Sequence, residues 1–251
     1  MKKLLLAVIL FLAITASPLL AQVAGKSFIN GIDANFPPFA FMGPDGQATG
    51  FDVEAVNWIA QKKGFTVKHQ PMEWDSIVTS LKDKKIDLIA SGMSITPERS
   101  SQVAFTNPYW QVRQVALVRK DSTLTLEEVL TTGQKIGVQQ GTSEAKNMAD
   151  TNNRDGRRYE LASYGSGQLA ASDVVNGRIA AVVLNDTIAA DVMKHLALKN
   201  LGEPGIPSEQ FGYAVNKENP ELLKVLNEGL ELLKKDPFWQ VLIDKYKPGE
   251  H

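Results

Sequence analysis

The sequence predicts an α/β protein built around two separate sheets, and three observations carry that expectation. Strand and helix signals alternate along the chain, the pattern of βαβ units. A short, nearly all-apolar run at residues 86–90 reads as a strand covered on both faces, as strands of parallel sheets are. The alternation then starts afresh near Gln111, so a second sheet follows the first. At 251 residues the chain suffices for one large domain or two small lobes.

The elements follow in order. Residues 28–32 read as a strand, and Asp52 is expected to cap a helix that carries Val53, Val56 and Ile59 on one face and stops at Gly64. The alternation Phe65, Val67, His69 is the next strand. Ile77, Val78 and Leu81 mark a helix, and Thr96-Pro97 opens another with Pro in its first turn. In the second half, residues 111–119 are extended and 124–130 helical. A strand at 135–139, a helix after Ser143, a strand at Tyr159–Tyr164, a helix at 168–176 and a strand at 179–184 complete the alternation. Residues 211–215 supply one more strand, and a helix over 220–234 turns Leu222, Leu223, Leu226, Leu230 and Leu233 to one side.

Composition removes several function classes. With 43% hydrophobic and 22% charged residues, the bulk of the chain lies outside the disordered range. A net charge of -1 gives no footprint for nucleic acid. The absence of Cys removes disulfides, thiolate nucleophiles, iron-sulfur clusters and thiolate zinc sites. Met1-Lys2-Lys3 followed by an apolar run over residues 4–14 has the form of a secretory signal, expected to be cleaved after Ala21 or, alternatively, Ala24. The run is too short to span a bilayer, and no Cys follows it to take a lipid. The mature protein is therefore expected free in an extracytoplasmic space, a bacterial periplasm fitting best.

Three segments join strand ends to helix starts, where open α/β sheets bind ligands. In Ser91-Gly92-Met93-Ser94-Ile95-Thr96-Pro97-Glu98-Arg99, amides and hydroxyls suit an anion, and Arg99 stands in a first turn where the helix dipole opposes it. A guanidinium there can clamp a carboxylate through two bonds. The plainer alternative is a solvated Arg99 paired with Glu98 or Asp121. Gln140-Gly141-Thr142-Ser143-Glu144 lacks the lysine of a phosphate loop and reads as a bare helix cap or a binding loop. Leu184-Asn185-Asp186-Thr187 reads similarly, with Asp186 as the cap.

Taken together, Gly31-Ile32-Asp33-Ala34-Asn35-Phe36-Pro37-Pro38-Phe39, Gly50-Phe51-Asp52-Val53-Glu54, Trp74-Asp75, the run from Ser91 to Arg99, and Gly137-Val138-Gln139-Gln140-Gly141-Thr142 resemble the polar amino acid family of periplasmic solute-binding proteins, family 3. The match spans nearly the whole mature chain in order. The resemblance implies the type II periplasmic binding protein fold, with two mostly parallel α/β lobes joined by two crossing segments. Lobe one would be residues 25–110 with 208–251, and lobe two 111–207. It also implies a free amino acid held between the lobes and delivered to a membrane ABC permease by a monomeric protein, with no catalytic residue, metal or cofactor.

Carried over residue by residue, the resemblance gives Arg99 and Ser94 to the ligand carboxylate and Ser91 and Gly92 to its α-amino end. Ser143 meets the carboxylate from the second lobe. Phe36 and Trp74 flank the ligand side chain, Asp33 stands near its tip, and Gln139 approaches from lobe two. The bland reading of Phe36 and Trp74 is core packing. One departure stands out: the position that would place an Asp on the ligand ammonium is Asn185, with Asp186 next to it. Asp186 is the expected partner, because a buried ammonium without a carboxylate is costly. Aromatic faces with Asp33 favour arginine, lysine or ornithine, with glutamine next and acidic ligands worst. The alternative is an enzyme resembling cyclohexadienyl dehydratase, with Glu144 or Asp33 as general acid.

Overall fold

The computed structural model describes residues 23–152, 154 and 156–246. The signal segment expected at residues 1–21 lies outside them. The first sheet runs in the order Thr66–Pro71, Ser27–Ile32, Leu88–Ile89, Ala214–Val215, Ala104–Phe105. Its first three strands are parallel, and the last two join antiparallel. The second sheet repeats the plan as Tyr159–Tyr164, Gln134–Gln139, Ala181–Asn185, Gln114–Arg119, Leu198–Gly202, again with three parallel strands followed by one antiparallel strand and an edge strand antiparallel to that one. Each sheet thus has four strands running one way and a single returning strand, second from one edge.

The apolar strands are buried on both faces, and the pleat shows why. In Gln114–Arg119, Val115 and Leu117 enter one core cluster while Ala116 and Val118 enter the opposite one. Val182 and Leu184 against Ala181 and Val183 divide in the same way. Helices cover these faces, and the buried polar side chains Gln114, Gln139 and Asn185 stand at strand ends.

In lobe one, the helix Phe51–Lys63 packs on Pro220–Leu233. Gly229 allows the contact, since a Cβ there would strike Ile59. Leu222, Leu226, Leu230 and Leu233 are fully buried, each contributing roughly 1.5–3 kcal/mol relative to exposure. Gly64, left-handed at φ 76°, closes the first helix by donating to the Ala60 carbonyl. Asp52 does not cap that helix. It sits inside the first turn, fully buried, while Gly50 occupies the cap at φ 126° because any side chain there would run into the Phe39 carbonyl.

Two extended stretches prove to be divided. Residues 111–119 form Trp110–Val112 and Gln114–Arg119, and residues 209–215 form Glu209–Phe211 and Ala214–Val215. Trp110–Val112 and Glu209–Phe211 pair antiparallel with each other, belong to neither large sheet, and make the double crossing between the lobes. A small antiparallel sheet of Asn35–Phe36, Ala40–Met42 and Ala48–Thr49 was not expected from sequence; its strands are too short for periodicity to register. The carboxyl ends of Ser27–Ile32, Leu88–Ile89, Gln134–Gln139 and Ala181–Asn185 lead directly into the segments singled out above.

Candidate functional site

Asp33 follows the strand Ser27–Ile32 and is only 3% exposed. Its backbone N–H donates to Ser91 Oγ at 3.0 Å, and its own Oδ1 accepts from Asn35 N–H at 2.9 Å. Gln139 of the second lobe donates to Asp33 Oδ2 at 2.6 Å. Burial pushes the Asp33 carboxyl above its ordinary range, while the Asn35 and Gln139 donors oppose the shift.

Gly92 sits at φ +61° with its N–H on Asp52 Oδ2 at 2.6 Å. The Phe36 ring lies so close that a Cβ on residue 92 would overlap it. Phe36 and Trp74 face each other 4° from parallel with centroids 6.4 Å apart. Phe36 also packs against core residues of both lobes. The core-packing reading of these rings is therefore partly true. Trp74 Nε1 is buried and has no hydrogen-bond partner among the described residues.

Arg99 is not a solvated surface cation; it is 9% exposed. It belongs to the helix Pro97–Gln102, capped by Thr96, whose Oγ1 accepts from Arg99 N–H at 3.1 Å. That helix is only six residues long, so Arg99 is as near its last turn as its first, and the dipole penalty expected from sequence largely vanishes. The guanidinium donates to the Ser94 carbonyl at 3.0 Å and, across the cleft, to the Gly141 carbonyl at 3.1 Å, with its carbon 5.6 Å from the Trp74 ring centre. Burial lowers its pKa, and the Glu209 and Glu144 carboxylates favour its charged form. Asp121, offered above as a partner, instead pairs with Arg119.

From the second lobe, Thr142 caps the helix Ser143–Thr151 and donates to the Gln139 carbonyl at 2.6 Å. Gln140 donates to Asp75 Oδ2 at 2.9 Å, and Gly141, at φ +74°, lies directly against the Asp75 backbone. Ser143 donates to Glu209 Oε2 at 2.7 Å, and Ser94 donates to the same oxygen at 2.6 Å. Burial, with Glu209 nearby, pushes the Glu144 carboxyl up to about 7. A cavity of about 880 Å³ opens at this end, lined in part by Arg99, Ser143, Asn147 and Glu209. The aromatic end is closed over by the Gln139 and Gln140 contacts.

Contacts link Asp33, Ser91 and Gln139 in one group and Phe36, Gly92, Trp74, Arg99, Ser94 and Ser143 in another, and of these residues Arg99 and Ser143 line the cavity. Asp186 lies one residue beyond the strand Ala181–Asn185, in the second lobe. Asp186, expected as the helix cap, does not cap: the cap is Asn185, whose Oδ1 accepts from Ile188 N–H at 3.0 Å and Thr187 Oγ1 at 2.6 Å. Asp186 is the first helical residue, buried, with a carboxylate oxygen 3.5 Å from Arg113 Nε. Sequence reasoning missed Glu209, Gln114 and Asn147, because their roles depend on the crossing and on lobe contact. No group of acidic or histidine side chains able to hold a metal occurs among the described residues.

The family profile of the bacterial extracellular solute-binding proteins, family 3, matches residues 28–249. The chain belongs to that family. It is 32% identical to ABC transporter arginine-binding protein 1 of Escherichia coli over 99% of this chain and all of that protein. Other relatives are named for cystine and histidine binding. Among solved structures, an ancestral arginine-binding protein bound to arginine superposes with a TM-score of 0.79 at 34% identity, covering 88% of this chain and 97% of that one. An ancestral amino acid-binding protein that is a precursor of cyclohexadienyl dehydratase superposes at 0.80 with 32% identity over 88% and 95% of the two chains. The type II periplasmic binding fold and the amino acid-binding family are therefore common ground between this chain and its relatives.

Proposed function

We propose that this chain binds a cationic L-amino acid between its lobes, with arginine, lysine or ornithine ahead of glutamine, and hands it to a membrane ABC permease. Residues 1–21 serve as the secretory signal, the mature chain works as a periplasmic monomer, and the lobes divide at the paired crossing near residues 110 and 208. The observation that carries the ligand class is the parallel pair of Phe36 and Trp74, with the Asp33 carboxylate beside it. A flat cation between two π faces gains about 0.5–2 kcal/mol, and the Asp33 carboxylate adds a charge-assisted hydrogen bond.

Arg99, held between Ser94 and Gly141, takes the ligand carboxylate, with Ser94 and Ser143 supporting it. Ser91, Gly92 and Asp186 serve the ammonium, and Gln139 adjusts the tip. Glutamate would set its side-chain carboxylate against Asp33 and binds worst. The family membership and the arginine-binding relatives support this reading.

A thermal-shift screen of the twenty amino acids plus ornithine tests it. A ligand at about 100 times its dissociation constant stabilises by roughly 2.7 kcal/mol, a rise of about 5–10 °C for a chain this size. The largest rise is expected from arginine, lysine or ornithine; a largest rise from glutamate would refute the assignment. One observation favours a second reading: a buried Glu144 titrating near 7 has the pKa of a general acid, as a dehydratase would need. Turnover of prephenate or arogenate would establish that reading, and stoichiometric binding without product would exclude it.

A further inference from the structure

The carboxylate-recognising end of the cleft already holds a carboxylate, that of Glu209. It lies on the crossing strand Glu209–Phe211, 8% exposed. Four side chains from three parts of the molecule donate to it. Ser94 of lobe one and Ser143 of lobe two reach Oε2 at 2.6 and 2.7 Å, Gln114 reaches the same oxygen at 3.3 Å, and Asn147 reaches Oε1 at 3.3 Å. Arg99 feels Glu209 as its strongest favourable charge.

A serine hydroxyl carries one proton. Those of Ser94 and Ser143 are both spent on Glu209, so neither can be donated to an incoming carboxylate while that contact stands. The same two serines and Arg99 are the groups that the proposed function gives to the ligand carboxylate, and the inference rests on that reading. We propose that Glu209 is a tethered competitor for the ligand carboxylate: it occupies the recognition groups, draws the lobes together through Ser94 and Ser143, and withdraws when an amino acid binds. Glu209 and Asn147 both border the 880 Å³ cavity, so the displaced side chain has room beside its original position.

The competitor lowers apparent affinity by the fraction of molecules it occupies. Removing its charge or its reach releases the serines and opens the unliganded protein. The test takes the mature protein with Glu209→Gln, which keeps size, and Glu209→Asp, which keeps charge but falls one methylene short. Arginine titration by calorimetry is expected to show at least fivefold tighter binding in both variants. Small-angle scattering without amino acid is expected to show a larger radius of gyration than the parent. Unchanged or weaker binding in the folded variants would overturn the competitor and show that Glu209 orients the serines instead, leaving the amino acid reading intact. If no protein responds to arginine, scattering decides: opening in Glu209→Gln upholds the interlobe latch while the ligand reading fails, and an unchanged radius overturns the latch.

Discussion

Gly141→Ala separates closure of the lobes from stability of the fold. Residue 141 sits at φ +74°, where alanine costs roughly 1–2 kcal/mol, so the variant should melt about 2–8 °C below the parent. That strain acts equally in open and closed molecules and cancels from the affinity. The added methyl also meets lobe one: it would lie 2.7 Å from Asp75 Cα, 3.1 Å from Asp75 Cβ and 3.3 Å from Asp75 N. Backbone atoms cannot rotate away, and ordinary contact begins near 3.5 Å, so the lobes must stand off by about 0.8 Å. The Arg99 to Gly141 bond of 3.1 Å would then exceed hydrogen-bonding range, and the Gln139 to Asp33 bond of 2.6 Å would stretch to its limit. Losing one charge-assisted bond removes about 1.5 kcal/mol or more, a tenfold or greater loss of affinity. Calorimetry with arginine on the folded variant reads this directly. Binding within about threefold of the parent, roughly 0.7 kcal/mol, would refute the argument that this face must close for binding.

Three further outcomes are expected. Arg99→Lys should weaken arginine binding nearly as severely as Arg99→Ala, because lysine keeps the charge but loses the fork that spans Ser94 and Gly141; calorimetry showing Arg99→Lys within about threefold of the parent would contradict it. Asp186→Asn should weaken binding with little effect on melting, whereas Asn185→Ala should cost about 1 kcal/mol of stability as a lost helix cap and spare affinity; the reverse order would show that Asn185 meets the ammonium. Asp52, fully buried, has its carboxyl pushed up to about 7, first by burial and against the Tyr109 and Gly92 donors. Its folded pKa exceeds the unfolded one, so the stability it lends is complete below about pH 4 and is lost as pH rises from there to about 7, amounting to about 4 kcal/mol. Asp52→Asn should accordingly flatten the fall in melting temperature between about pH 4 and 7, and an unaltered slope would show that Asp52 does not titrate there.

What the sequence made legible was local chemistry. Tyr159–Tyr164 stands where alternation put it, Thr96-Pro97 opens its helix, and Arg99 turned out to be buried against the opposite lobe. Residues whose roles arise from chain crossing were not legible. Glu209 follows Pro207-Ser208 like any surface acid, and only the pairing of Glu209–Phe211 with Trp110–Val112 carries it into the cleft. Asp52 looked like a helix cap because the helix begins beside it; its burial comes from Tyr109, 57 positions away, and from Gly92. Asp186 was assigned as cap for want of any signal distinguishing it from Asn185, both being good capping residues.

A calorimetric titration of the mature protein with arginine, with glutamate run in parallel, tests the central claim most directly. Arginine is expected to fill a single saturable site with a dissociation constant of about 10 μM or tighter, roughly -7 kcal/mol, and glutamate to bind at least about a hundredfold more weakly, about 2.7 kcal/mol. Tight glutamate binding with arginine silent to about 1 mM would contradict the aromatic slot and the role given to Asp33 together.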